Sequence, residues 1–160
     1  MDVWRMKKWE RVLAPYPNRR TGLRFRYEPT VDADVRGTIH RFGLWVRREF
    51  RFPLRVIVYV KGAERIRARD GDLVVGTFFE PYCHEKEPHI RIATGDYPEL
   101  LEKRGRDDAM ADMLASLIHE LTHYFQWVND LQLTDAGSER QADAYTSRIL
   151  GEYAATRDHP

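Results

Sequence analysis

Two histidines and a glutamate in one short segment have the types and spacing for metal chemistry. Residues 119–123 read His-Glu-Leu-Thr-His. His119 and His123 are four residues apart, so on an α-helix they lie on one face and both imidazoles can reach one metal ion. Glu120 lies close to such an ion and can accept a proton from a water bound to it. The pattern therefore predicts a zinc-dependent hydrolase.

The pattern fixes only three positions and arises by chance in roughly one of every few hundred chains of this length, so the surrounding sequence has to decide. Between residues 107 and 129 apolar residues recur at spacings of three and four without a proline or glycine, which predicts an amphipathic helix. Asp107 or Asp108 is expected to cap its N-terminus. The apolar positions are Met110, Met113, Leu114, Leu117, Ile118, Leu121, Phe125 and Val128.

A catalytic zinc site also needs a third protein ligand, and a second predicted helix offers one. Ser138 and Gln141 have the spacing of a capping box, so this helix is expected to begin at Ser138. Glu139 in its first turn is the predicted third ligand. Asp143, one turn later, is predicted to accept a hydrogen bond from the non-ligating nitrogen of a ligand histidine. The alternatives for the third ligand are Asp143, Asp135 and Asp130.

This arrangement resembles the zincin metallopeptidases of the gluzincin type. His119-Glu120-x-x-His123 followed by Glu139-x-x-x-Asp143 is similar to the pattern of thermolysin-like enzymes, and the small size of the chain resembles the minigluzincins. The resemblance implies that His119, His123 and Glu139 bind Zn²⁺, that Glu120 is the general base, and that Asp143 orients a ligand histidine. It also implies a transition-state donor, usually a histidine or tyrosine. The candidates are Tyr145, Tyr153, His84 and His89.

The sequence before the motif predicts a helix and a small sheet. Residues 31–50 have helical spacing, with Thr30 as the expected cap, and residues 54–60, 73–79 and 89–93 each predict a strand. The order of helix, three strands, helix and helix predicts an α+β, zincin-like single domain whose C-terminal helix carries the third ligand. By the resemblance, residues 89–93 would edge the cleft and pair with an extended substrate.

Two segments have roles that the pattern leaves open. Residues 1–30 are predicted to be an extension that packs on a minimal metallopeptidase domain of residues 31–160. This extension is expected to be an irregular surface strap, and the alternative is that it lies near the active cleft and controls access. Cys83 is expected to be a packing residue or an idle thiol, and the alternative is that it coordinates zinc in a latent form.

Composition argues against several classes of protein. A chain of 160 residues fits one domain, and its net charge of +1 argues against nucleic acid as an obligate partner. It has no apolar run of 18 residues and no apolar N-terminal segment, so neither a membrane span nor a secretory signal is expected. The lone Cys83 suits a reducing cytosol. We therefore expect a cytoplasmic protein, monomeric by default.

The sequence as a whole predicts a zinc metalloprotease that hydrolyses peptide or protein substrates through a metal-activated water, with Glu120 as the base. The alternative is a zincin-fold binding or regulatory module that holds zinc without cleaving its partner. A structural zinc site ranks lower, because such sites have four protein ligands and only three convincing ligands are visible here.

Overall fold

The computed structural model describes residues 2–156, so residue 1 and residues 157–160, at the ends of the two predicted segments, lie outside it. The described residues form an α+β fold with five helices, a four-stranded mixed sheet and a short two-stranded sheet. The predicted α+β class is confirmed. The elements in chain order are α1 (Trp9–Val12), β1 (Leu23–Tyr27), α2 (Ala33–Glu49), β2 (Val56–Lys61), β3 (Ile66–Arg67), β4 (Leu73–Val74), β5 (Gly76–Phe79), β6 (His89–Ala93), α3 (Tyr97–Arg104), α4 (Arg106–Val128) and α5 (Asp135–Thr156).

The four-stranded sheet has the order β1-β2-β6-β5. The strands β1, β2 and β6 are parallel, and β5 pairs antiparallel with β6. Since β6 has a neighbour on both sides, its backbone donors and acceptors are used within the sheet. The prediction that residues 89–93 edge the cleft is therefore wrong. The two edge strands of the sheet are β1 and β5, and β5 is the one next to β6.

The prediction of an irregular N-terminal extension is also wrong. Residues 23–27 form β1, which pairs with β2 from Leu23 opposite Val56 to Tyr27 opposite Val60. The alternation of Leu23, Phe25 and Tyr27 with arginines is a strand pattern of period two, so the signal was present in the sequence. The segment ahead of it supplies buried side chains to the same hydrophobic core. These are Val3, Trp4, Trp9 and Leu13.

The residues that cap the N-termini of α2, α4 and α5 are not the predicted ones. Several polar residues lie near each helix start, and the backbone conformation determines which of them is the cap. Asp32, not Thr30, caps α2, since its Oδ1 accepts a hydrogen bond of 2.8 Å from the amide of Asp34. The helix α4 begins directly after Gly105, whose φ of 83° is outside the helical region and places it at the N-cap position. The predicted caps Asp107 and Asp108 therefore lie in the first turn of the helix. The helix α5 begins three residues before Ser138, where Thr134 Oγ1 accepts a hydrogen bond of 3.0 Å from Gly137.

The helix α4 lies in the middle of the fold, and most of its length is buried. It packs against α5, α3, α2 and the β5–β6 side of the sheet. Buried polar side chains tie it to the N-terminal segment and to the residues before β2. The hydrogen bonds run from Trp4 Nε1 to Thr122 Oγ1 (3.0 Å), from Trp9 N to Asn129 Oδ1 (2.9 Å) and from Tyr124 Oη to Leu54 O (2.6 Å). The helix that carries the motif is therefore held rigidly on more than one side. Among the helices of residues 2–156, none has the length and apolar character needed to cross a bilayer.

Candidate metal centre

The two motif histidines of α4 and Glu139 of α5 meet at one point. His119 Nε2 and His123 Nε2 are 3.3 Å apart. Glu139 places Oε2 3.1 Å from His119 Nε2 and Oε1 3.0 Å from His123 Nε2. Within the described residues this donor cluster includes Glu139 and excludes Cys83 and the alternative ligands Asp130, Asp135 and Asp143.

A glutamine on α4 sets the orientation of His123. Gln126 Nε2 lies 3.0 Å from the carbonyl oxygen of Ser138, which only accepts hydrogen bonds, so this atom is the amide nitrogen. Gln126 Oε1 is then the acceptor that lies 2.8 Å from His123 Nδ1. With the imidazole neutral, the proton is on Nδ1, and the lone pair of Nε2 points at Glu139.

His119 is oriented in the same way as His123, with Nδ1 toward an oxygen acceptor, but its contact with that acceptor is longer. Its Nδ1 lies 3.3 Å from Asp143 Oδ1, as the predicted role of Asp143 requires. A carboxylate only accepts hydrogen bonds, so Nδ1 donates, and in the neutral imidazole Nε2 again carries the lone pair that faces Glu139. The Asp143 side chain is 76% exposed, so water competes for this contact. Gln126, whose residue is buried, is the firmer of the two supports.

With both imidazoles in their neutral form, the three groups present only electron pairs to one another. Two neutral imidazole nitrogens and a carboxylate at 3.0–3.3 Å repel unless a cation lies between them. Ligands around a tetrahedral ion at zinc–nitrogen distances of about 2.0–2.1 Å are separated by roughly 3.3 Å. The spacing and the chemistry of the donors thus fit a divalent metal ion that accepts nitrogen and oxygen ligands, with one position left for water.

Glu120 lies beside this cluster on the side of β5, with only 7% of the residue exposed. Burial, and then the negative charge of Glu139, raise the pKa of Glu120 to about 8. A cation at the cluster would favour the ionised form and lower that pKa. A methyl group added at Gly76 would lie 3.2 Å from Glu120 Cγ and 3.3 Å from Oε1. A larger residue at position 76 would require Glu120 to move by a few tenths of an ångström, so the close approach of β5 to the carboxylate favours glycine there.

The cluster opens into a groove between β5 and the two last helices. On the side of His119 and Glu120 the groove is a cavity of about 600 Å³. On the side of His123 there is a smaller one of about 150 Å³. Gly76 lines the first cavity and Phe78 the second, so the edge strand β5 runs along both. Arg65 also lines the larger cavity, with its Nη1 2.5 Å from Asp96 Oδ2.

The structure places the two tyrosines proposed as transition-state donors in the hydrophobic core. Tyr145 Oη accepts a hydrogen bond of 3.2 Å from the backbone amide of Val3. The ring of Tyr153 packs edge-on against Phe42, with 5.1 Å between the ring centroids. Both residues lie on the inward face of α5, and neither is among the residues that line the groove.

The two histidines proposed for the same role lie elsewhere as well. His84 stacks on Trp127 at a centroid distance of 4.4 Å, and its Nε2 lies 2.8 Å from the carbonyl oxygen of that residue. His89 lies on the opposite face of the sheet, stacked on Phe79 at 4.8 Å. Burial, and then the charge of Arg91, lower the pKa of His89. Neither histidine lines the groove.

Sequence reasoning missed Gln126, Gly76 and Arg65. Gln126 could have been found, because it follows His123 by three residues and so falls on the same face of the helix. Gly76 interrupts a β-branched strand, which is a typical sign of close backbone approach. Nothing in the local pattern singles out Arg65.

Comparisons with protein-family models, with curated proteins and with solved structures found no match for this chain. The interpretation of the site therefore rests on its own residues and geometry.

Proposed function

We propose that the chain is a zinc-dependent metallopeptidase of the gluzincin type. The observation that carries this proposal is the convergence of His119, His123 and Glu139, with both imidazole lone pairs directed at one point. Such a set of three ligands is typical of catalytic rather than structural zinc sites. Glu120, desolvated and next to the cluster, favours hydrolysis over a purely metal-holding role.

In the proposed mechanism His119, His123 and Glu139 hold the ion. A zinc ion held there would supply Lewis acidity to a water molecule and to the substrate carbonyl. Glu120 would accept a proton from the attacking water and pass it to the leaving amine. Arg65 is the cation that lines the groove, and we assign it the stabilisation of the developing oxyanion.

The fold supports this proposal through β5. An edge strand offers unpaired main-chain donors and acceptors to an extended peptide. Because β5 runs past Glu120 at Gly76 and reaches the His123 side at Phe78, a peptide paired with it would lie across the metal site. From α2 onward, the order of one helix, then strands β2 to β6, then α3, α4 and α5 is close to the order of helix, strands, helix and helix that the sequence predicts.

The metal assignment is tested first by measuring the metal content of the purified protein by mass spectrometry. We expect about one zinc per chain in the wild type and a large loss in Glu139→Ala, because two ligands bind zinc much more weakly than three. The control is Glu102→Ala, an exposed glutamate on α3, which should keep its zinc. A folded wild-type protein without zinc, even after supplementation, would refute the proposal, and iron in place of zinc would change the chemistry assigned to the site.

The catalytic assignment is tested with a broad peptide library. Glu120→Gln should retain zinc and lose turnover by about 10²–10⁴-fold, since it removes the proton acceptor and leaves the ligands intact. Wild-type turnover in this variant would exclude Glu120 as the base. Stoichiometric zinc without cleavage of any library peptide would favour the alternative of a zinc-holding binding module.

A further inference from the structure

The outer face of the four-stranded sheet, turned away from α2 and α4, carries an unusual set of side chains. Alternate residues of β2 and β6 point into the core, so their neighbours point outward. The residues of β1 and β5 that pair with these outward-pointing neighbours lie on the same face of the sheet. Four of its ten positions are cationic and none is acidic. The positions are Arg24, Arg26, Ile57, Tyr59, Lys61, Thr77, Phe79, His89, Arg91 and Ala93.

The distribution of charge along the chain has the same asymmetry. Residues 1–70 carry 18 lysines and arginines against 8 aspartates and glutamates, a net charge of +10. Residues 71–160 carry 8 against 17, a net charge of −9. The overall charge of +1 therefore averages a basic half and an acidic half. An asymmetry of this kind is typical of proteins that bind polyanions.

Aromatic rings lie between the cations of the outer face. Phe79 and His89 are stacked, with an interplanar angle of 16°, and Tyr59 meets His89 edge-on at 5.8 Å. Lys61 lies 5.6 Å from the centre of the Tyr59 ring, and Arg69 lies 5.8 Å from that of Phe79. Planar rings and guanidinium groups interleaved in this way are the elements on which exposed nucleobases stack.

The outer face is also concave at one side. The β3–β4 hairpin lies against β6, where Arg91 donates a hydrogen bond of 3.0 Å to the carbonyl oxygen of Arg67. Between the hairpin and the sheet is a cavity of about 540 Å³. Three arginines line it, at positions 67, 69 and 91, and Glu80 is the one acidic residue among its lining residues. This basic groove has the shape and charge to hold a phosphate backbone.

We propose that the outer face binds single-stranded nucleic acid. The cations would contact phosphates, and Tyr59 and Phe79 would stack with bases. A duplex is a poorer ligand because its bases are already stacked, and the aspartate and glutamate side chains of an acidic peptide have no ring to place on the aromatic residues. The parallel strands β1, β2 and β6 also favour a partner on this face, since parallel sheets are commonly covered on both faces. This binding is independent of the proposed peptidase activity.

The test is fluorescence anisotropy of a labelled oligothymidylate of about 15 nucleotides, titrated with the full chain over a range of salt concentrations. Arg24 and Arg26 are exposed and have no hydrogen-bond or ion-pair partner among the residues that the structure describes, so R24A/R26A should fold normally. We expect this variant to bind roughly tenfold or more weakly, and the slope of log Kd against log salt to fall by about 1.4, since each lost phosphate contact removes about 0.7.

The matched control is R41A/R48A, which removes the same charge from the exposed side of α2, on the other layer of the fold. It should retain nearly all the affinity, and an equal loss would mean that net charge alone drives binding. Tyr59→Ala should bind at least fivefold more weakly while Tyr59→Phe binds like the wild type, because stacking needs only the ring. Absence of binding at 100 mM salt and about 100 µM protein would overturn the proposal. The proposal would also be overturned if poly-glutamate bound as tightly as the oligonucleotide and Tyr59→Ala left the affinity for both unchanged. The outer face would then bind acidic polypeptides.

Discussion

At the residue scale, the side chains that orient His123 and His119 differ in their burial. The partner of His123 is Gln126, and the partner of His119 is Asp143. Gln126 is 6% exposed and is itself fixed by Ser138 and Gln141, each at 3.0 Å from its Nε2. Asp143 meets His119 at 3.3 Å from a side chain that is mostly in solvent. Contacts between exposed charged groups contribute little, whereas a buried hydrogen bond that cannot be replaced by water holds its partner firmly.

We therefore predict that Gln126→Ala lowers zinc affinity by about 10–100-fold, the usual effect of removing a partner that orients a metal ligand. Asp143→Ala should cost less, because water can take its place. Competition with a chromophoric zinc chelator measures both. Gln132→Ala, an exposed glutamine bonded only to nearby Asp130, should leave the affinity unchanged. A larger effect of Asp143→Ala than of Gln126→Ala would contradict this ranking.

At the element scale, β5 forms one side of the surroundings of Glu120, the proposed general base. Its glycine allows the strand to pass close to Glu120, and burial, followed by the negative charge of Glu139, raises the pKa of that carboxyl to about 8. The proposed ligands lie on α4 and α5, and among the described residues none of their side-chain hydrogen bonds or ion pairs involves β5. Metal binding and proton transfer should thus be separable by a change in β5.

Gly76→Ala tests this separation. The added methyl group would displace Glu120 by several tenths of an ångström, so we expect unchanged zinc content and a turnover about 10–100-fold lower. The control is Gly151→Ala on the exposed side of α5, where a methyl group meets nothing within 4 Å. That change should raise the free energy of unfolding by about 0.5–1 kcal/mol without affecting turnover. Equal turnover in the two variants would show that β5 does not position Glu120.

At the scale of the whole molecule, the N-terminal segment closes the core behind the motif helix. Trp4 is 2% exposed, packs on Phe125 at 4.8 Å and donates a hydrogen bond to Thr122 inside the motif. The segment thus supports the site from behind, and none of its described residues lines the groove. The hypothesis of a strap across the cleft has no support in this arrangement.

Trp4→Ala should accordingly lower the free energy of unfolding by about 3–5 kcal/mol, the usual cost of removing a buried aromatic side chain. Urea denaturation followed by circular dichroism measures the change. Tyr82, which is 92% exposed, provides the control, and Tyr82→Ala should stay within about 0.5 kcal/mol of the wild type. A loss below 1 kcal/mol in Trp4→Ala would mean that the segment is not part of the core.

Features that depend on local chain geometry can be predicted from the order of the amino acids alone. Residues four apart on a helix share a face whatever the rest of the fold does, so the pairing of His119 with His123 and the apolar stripe of α4 were predictable. Glu139 and Asp143 were predictable for the same reason, once a second helix was recognised. The pattern of β1 was equally local, and it was overlooked.

Features that depend on contacts between distant residues become visible only in the folded molecule. The order β1-β2-β6-β5 made β5 rather than β6 the edge, because strand pairing is not encoded in the pattern of either strand alone. Burial, and then the negative charge of Glu139, raise the pKa of Glu120, and packing of α5 on α4 brings Ser138 to Gln126. The basic outer face arose because three-dimensional pairing gathered cations from β1, β2 and β6, which a net charge of +1 conceals.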